Sequence, residues 1–338
     1  MKRLFISGCL LILLVSETGF AGEQVDFFVD RWALFLENDN AGWLEVRQED
    51  GYLDSDMLWC WGSVTPSAST LMMDNKLIVT RIGNRVRERD TNKKPVKTHT
   101  LTSWFEFEKA GPNQIIGRGW NPNDKGTAYE EIRLVGKRLP PMPPKPDLSK
   151  LKFGKKIKLF NGKDLTGWKL INPDAVNGWG VKDGMLVNNP VQKEGEPHIN
   201  YGNLQTIPEF EDFNLKLEVN IPKRSNSGIY LRGLYEVQVD DSYGREVDSH
   251  NLGAIYSRIT PSVAAEKPAG EWQTLDITLC VRHINVVLNG TTIIDNQPVY
   301  GVTGGALTAD EFSPGPIYLQ GDHGKVSYRN IVLKAIKD

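Results

Sequence analysis

Apolar and polar side chains alternate along much of this chain. Phe213, Leu215, Leu217 and Val219 share one parity, with Asn214, Lys216 and Glu218 between them. Tyr235, Val237 and Val239 alternate in the same way with Glu236, Gln238 and Asp240. A strand sends successive side chains to opposite faces, so each run predicts a strand with one apolar and one polar face. Sustained helical periodicity is scarce. Before residue 139 the pattern predicts seven short strands: Trp32–Glu37, Trp43–Gln48, Met57–Ser63, Lys76–Ile82, Thr100–Phe107, Gln114–Trp120 and Tyr129–Val135. After residue 150 it predicts more, among them Phe213–Val219, Gly228–Arg232, Tyr235–Asp240, Leu275–Val281, Ile317–Gln320 and Val326–Leu333. Asn289-Gly290, set between Val286-Val287-Leu288 and Thr291-Thr292-Ile293-Ile294, is a hairpin turn. Gly42-Trp43 followed by Asp50-Gly51 is echoed by Gly178-Trp179 followed by Asp183-Gly184, which suggests two similar hairpins.

The expected fold is therefore all-β. Residues 24–138 predict a smaller β-barrel or β-sandwich domain, and residues 151–338 a two-sheet jelly-roll sandwich. Between them, residues 139–150 read LPPMPPKPDLSK, with five prolines in seven positions, a stiff extended linker. The first half also holds six of the nine tryptophans, Trp32, Trp43, Trp59, Trp61, Trp104 and Trp120. Such rings serve a core or rim, or stack on sugars.

Composition narrows the partners. A formal net charge of −2 gives no electrostatic footprint for nucleic acid. Residues 1–21 read as an export signal: Lys2 and Arg3, an apolar run from Leu4 to Val15, and small residues at Gly19 and Ala21. The run is shorter than the ~20 residues that span a bilayer, so no membrane span is expected after cleavage. A periplasmic or secreted location follows as an expectation. Ile6-Ser7-Gly8-Cys9 resembles a lipobox but lies too early for one. Cys60 and Cys280 sit in apolar contexts in different halves and are expected as buried thiols. Nothing has the spacing of a metal or cofactor site, and Asp240-Asp241 lacks a calcium-loop pattern, so neither group is expected.

The candidate chemistry centres on Glu236, Gln238 and Asp240, which project from one face of one strand and suggest the floor of a polar cleft. Arg232 precedes them across a glycine turn, and Tyr230 is on its strand, packing in the core or meeting a sugar. A glycosidase pair needs carboxyls ~5–9.5 Å apart. Glu236 and Asp240 stand four residues apart, roughly 13 Å along a strand, and make a poor pair. Asp322-His323-Gly324 offers an imidazole on an exposed turn, fit either for proton transfer or for a structural hydrogen bond. His250 stands on a loop that could cover the cleft, while His99, His198 and His283 read as surface or structural residues.

Several segments carry a family resemblance. They are Leu159-Phe160-Asn161-Gly162-Lys163-Asp164-Leu165-Thr166-Gly167-Trp168, Asn226-Ser227-Gly228-Ile229-Tyr230-Leu231-Arg232-Gly233, Tyr235-Glu236-Val237-Gln238-Val239, Gly270-Glu271-Trp272-Gln273-Thr274 and Gly315-Pro316-Ile317-Tyr318-Leu319-Gln320. Their order and spacing resemble the DUF1080, or 3-keto-disaccharide hydrolase, family across nearly all of the second half. The resemblance implies a concanavalin A-like sandwich and a carbohydrate substrate, a glycoside oxidised to a 3-ketone. Such a ketone acidifies the hydrogen on C2. One base could remove it, a donor could hold the enolate, and the C1 substituent could leave, with water added afterwards. On this scheme Glu236 is the base, Arg232 the stabiliser and His323 a further acid or base. Tyr230, Gln238, Asp240 and Asp322 bind substrate. The alternative reading is a lectin-like carbohydrate-binding protein, and a third is a surface adhesion module. The resemblance leaves the role of the first half open.

Overall fold

A computed structural model describes residues 24–193 and 195–337. The expected export signal lies outside them. The first half forms one antiparallel nine-stranded sheet. Its order runs Thr65–Pro66, Tyr52–Trp59, Ala41–Glu49, Arg31–Leu36, Tyr129–Arg138, Gln114–Pro122, Pro95–Gly111, Lys76–Arg89, Ser69–Met73. The sheet wraps a core of Trp32, Leu34, Leu44, Met57, Leu77, Phe105 and Phe107. It is not closed into a barrel. Its last strand, Ser69–Met73, meets Tyr52–Trp59 near the other end through side chains, with Ser55 Oγ 2.6 Å from Thr70 Oγ1, and no main-chain ladder joins the two among the described residues. The pair Lys76–Arg89 and Pro95–Gly111 is longer than its alternation predicts, because its outer arm is exposed on both faces.

The second half is a sandwich of two antiparallel sheets. The larger runs Trp179–Lys182, Met185–Asn188, Val326–Lys337, Phe213–Asn220, Trp272–Cys280, His283–Leu288, Thr291–Pro298, with Lys152–Phe153 and Ile157–Lys158 added along Val326–Lys337. The smaller runs Trp168–Leu170, Leu204–Thr206, Tyr318–Leu319, Asn226–Leu231, Tyr235–Asp240. Phe213, Leu215, Leu217 and Val219 from one sheet meet Ile229, Tyr235, Val237 and Val239 from the other in a single core. Burial of each such side chain contributes about 1.5–3 kcal/mol. The hairpin turn falls at Asn289 and Gly290, both with positive φ (51° and 85°), the geometry that matches strand twist. Cys60 and Cys280 are buried thiols.

The two halves pack on each other. Ala33, Ala41, Trp43 and Leu58 of the first sheet join the sandwich core. The backbones touch where the Gly305 amide donates to the Cys60 carbonyl at 2.8 Å. A Cβ on Gly304 would lie 2.2 Å from the Gly62 carbonyl oxygen, so no side chain fits on Gly304 against that backbone. The proline-rich segment runs along this junction, with Leu139 buried and the Pro146 carbonyl accepting from Asn296 Nδ2 at 2.8 Å.

Candidate active site

The five-stranded sheet turns one face to the core and the other to a cleft. On Asn226–Leu231 the odd-numbered Ser227, Ile229 and Leu231 face inward. Asn226, Gly228 and Tyr230 face the other way, opposite Asp240, Gln238 and Glu236 in register. Residues directly opposite on an antiparallel pair share a face. Tyr318 pairs with Tyr230 from the neighbouring strand and adds to the same face. The cleft has a volume of about 360 Å³. Its floor holds Tyr230, Glu236, Gln238 and Tyr318, and one end holds Asp322 and His323. Amides of Asn200, Asn203, Asn226 and Gln320 fill the walls, and among the described residues no Lys or Arg lines it. Trp61 and Gly62 reach over from the first half to close one side.

Glu236 is 4% exposed. Its room comes from Gly228, where a Cβ would lie 2.2 Å from Glu236 Oε1. Desolvation pushes the Glu236 carboxyl up to about 8, against the pull of the Tyr230 hydroxyl hydrogen-bonded to it. That hydroxyl lies 2.8 Å from Glu236 Oε2 and 2.7 Å from the Gly304 carbonyl oxygen. The Tyr230 and Tyr318 rings stack with centroids 3.8 Å apart, and the Tyr318 hydroxyl donates to the Gly305 carbonyl at 2.7 Å. Burial above all holds both phenols well above their ordinary range, so both keep their protons. Gln320 Oε1 is buried and has no partner among the described residues. An acceptor left bare in this way costs about 1–3 kcal/mol, a debt that a ligand hydroxyl would cancel.

The sequence-predicted residues divide by position. Glu236, Gln238, Tyr230, Asp322 and His323 line one cleft. Asp322 accepts from the Tyr201 amide at 2.8 Å and meets His198 Nε2 at 2.9 Å, so His198 stands behind the cleft wall. Arg232 does not line the cleft. Strand parity would set it beside Tyr230, but the strand ends at Leu231 and Arg232 takes a positive φ of 56°. The reversed backbone carries the guanidinium to the carbonyls of Glu311, at 2.9 Å, and Ser313. Asp240 also falls outside the lining. It marks the edge of the polar row and is paired with Arg245. His250 bonds Ser63 Oγ at 3.0 Å and packs edge-on against Tyr256, which does line the cleft. Among the described residues no group of three or more His, Cys, Asp or Glu could hold a metal.

Sequence reasoning missed Gly228, Tyr318 and Gln320 as site residues and did not single out Trp61 among the six tryptophans of the first half. Tyr318 and Gln320 were within reach of the alternation argument, since they flank the buried Leu319 as Glu236 and Gln238 flank Val237. Gly228 was legible only through its register with the acidic strand.

A family described as the 3-keto-alpha-glucoside-1,2-lyase-like domain matches residues 155–334. The chain belongs to this family, and every floor residue of the cleft falls inside the matched range. Trp61 and Gly62 do not. No curated protein matches the chain. Among solved structures, a Parabacteroides distasonis protein provisionally described as a glycosyl hydrolase is 28% identical, covering 59% of this chain and 94% of its own, at a TM-score of 0.44. A second such structure from the same organism is 22% identical over 54% of this chain and 94% of its own, also at 0.44. The carbohydrate-binding module CBM66 of Bacillus subtilis is 13% identical over 50% of this chain and 96% of its own, at 0.35.

Proposed function

We propose that this protein is an exported enzyme that cleaves 3-keto-glycosides by base-assisted elimination. The observation that carries the reading is a buried carboxyl, Glu236, at the floor of a polar cleft that no Lys or Arg lines among the described residues, in a chain of a 3-keto-glucoside lyase-like family. The 3-ketone makes the C2 hydrogen acidic. Glu236 takes that proton, the C2–H electron pair enters the enolate, and the bond from C1 to the leaving oxygen breaks as C1=C2 forms. The leaving oxygen departs as an alcohol with a proton from His323. Water then adds across C1=C2, its hydroxyl to C1 and its proton to C2, to complete net hydrolysis.

A raised carboxyl suits this task. A desolvated carboxylate is a stronger base than a solvated one, and a carbon acid needs a strong one. With Arg232 turned away, the enolate is met by neutral donors, the amides of the cleft walls. Neutral amides and phenols are also what a neutral sugar ring needs for its hydroxyls.

The test is incubation of the mature protein with a 3-keto-disaccharide and with its unoxidised parent. The expected result is cleavage of the 3-keto sugar alone, lost in Glu236→Gln. Cleavage of the parent alone would replace elimination with ordinary glycoside hydrolysis. Binding without cleavage of either would make the protein a lectin. Fractionation of the producing cells checks export.

A further inference from the structure

Trp61 is 65% exposed, yet it borders a cleft whose floor is buried. Its placement is built rather than incidental. The flanking residues Cys60 and Gly62 both take positive φ, 56° and 73°, a conformation that L-residues such as cysteine rarely adopt. The Trp61 amide donates back to the Trp59 carbonyl at 2.7 Å, which tightens the turn. The turn is pinned to the sandwich by the Gly305 amide on the Cys60 carbonyl and by the close approach of Gly62 to Gly304. The carbonyls of Gly304 and Gly305 accept the hydroxyl bonds of Tyr230 and Tyr318. The indole therefore stands beside the tyrosine stack, with its Cζ3 3.5 Å from where a Gly305 Cβ would lie.

We infer that Trp61 is a stacking platform for the second sugar ring of the substrate, so that the first half supplies part of its recognition. This rests on the elimination reading of the cleft. The volume of about 360 Å³ is at the low end of the ~300–1,000 Å³ of small-ligand sites. One reacting ring fills the floor around Glu236, and a linked ring emerges at the rim where the indole stands. A pyranose presents an apolar C–H face, which covers an exposed indole and removes both surfaces from water. The lining among the described residues, amides and phenols with the carboxyls Glu236 and Asp322, suits a neutral ring better than a uronate or sulfated one.

The experiment compares kcat/KM of the wild type, Trp61→Ala and Trp61→Phe on a 3-keto-disaccharide and on the methyl 3-keto-glucoside. Binding of the unoxidised disaccharide is followed by ligand-observed NMR. Trp61→Ala is expected to lower the disaccharide-to-methyl ratio of kcat/KM about tenfold, chiefly through KM, and Trp61→Phe to recover most of it. An unchanged ratio in a folded Trp61→Ala protein overturns the platform and leaves the elimination reading standing. If the wild type cleaves neither substrate, that reading fails, and the NMR arm decides the platform. Disaccharide binding that Trp61→Ala abolishes supports it. Binding that the variant retains, or no binding by the wild type, overturns it.

Discussion

The Tyr230 hydroxyl sits between Glu236 Oε2 at 2.8 Å and the Gly304 carbonyl at 2.7 Å, with one proton to serve both. A carbonyl can only accept. When Tyr230 donates to Gly304, Glu236 must carry a proton of its own to complete the remaining bond. When Glu236 ionises, Tyr230 turns its proton to the carboxylate and Gly304 loses its donor. The carboxyl thus changes state together with its neighbour.

This coupling sets the pH dependence. With the Glu236 carboxyl pushed up to about 8, its base form grows through neutral pH and levels off above that value. With proton abstraction from C2 limiting the rate, the free-enzyme profile of kcat/KM is expected to rise about tenfold per pH unit below its bend and to bend near 8. In Tyr230→Phe the hydrogen bond that lowers the Glu236 value is gone, so the bend moves to higher pH. A pH–rate profile of both proteins checks this, and a wild-type profile flat from pH 6 to 8 would remove Glu236 as the base.

Stability depends on the same group. Its native value of about 8 lies above the ordinary 4.5, so the native state binds the extra proton between them. The stabilisation is full below about 4.5, falls as pH rises through that window, and is gone above about 8. The shift corresponds to as much as about 5 kcal/mol. Glu236→Gln removes the charge without changing the shape. Its melting temperature is expected to exceed that of the wild type above pH 8, with the difference narrowing toward pH 4.5. Calorimetry across pH 4 to 9 reads this directly, and parallel curves for the two proteins would contradict it.

Gly228 should act on catalysis through position alone. A methyl group there displaces the Glu236 carboxyl, whose Oε1 lies 2.2 Å from the new Cβ. A misplacement of about 1 Å costs on the order of a hundredfold in rate. Gly228→Ala is expected to lose at least that much kcat while its far-ultraviolet dichroism stays that of a folded sheet protein. Wild-type kcat in this variant would show that the carboxyl need not sit where it does.

Arg232 should act on stability instead. Its buried guanidinium bridges the Glu311 and Ser313 carbonyls and fastens the turn after Leu231. Arg232→Gln is expected to cost about 2–4 kcal/mol in chemical denaturation. The shape of the pH–rate profile should not change. A profile whose bend moves with this substitution would return Arg232 to the chemistry.

Most of the architecture was legible because alternation is a direct image of a two-faced sheet. Phe213 to Val219 and Tyr235 to Asp240 announced their buried faces, and the Asn289-Gly290 turn announced its hairpin. Alternation says little about where a strand stops. Arg232 was misplaced for that reason, since parity carries on through a sequence while a positive φ breaks it in the chain. Asp240 fell at the other end of the same row, where Arg245 takes it up. The exposed arm of Lys76–Arg89 gave no alternation because neither of its faces is buried. Trp61 was one of six tryptophans in the first half, and nothing local set it apart from Trp59, which packs beside Phe105. Its position depends on contact with residues 304 and 305, far along the chain, and no periodicity encodes such a meeting.

The glycine seam at Gly62 and Gly304 also bears on how this protein can be re-engineered. A chimera that exchanges the first half for another module must keep the positive φ of 73° that Gly62 takes, so that its backbone still passes against Gly304, where no Cβ fits. Otherwise the graft pries the 303–306 loop from the tyrosines beneath it. The route to new specificity by module exchange therefore passes through a two-residue fitting, and libraries built on this scaffold should hold both glycines fixed while they vary the indole beside them.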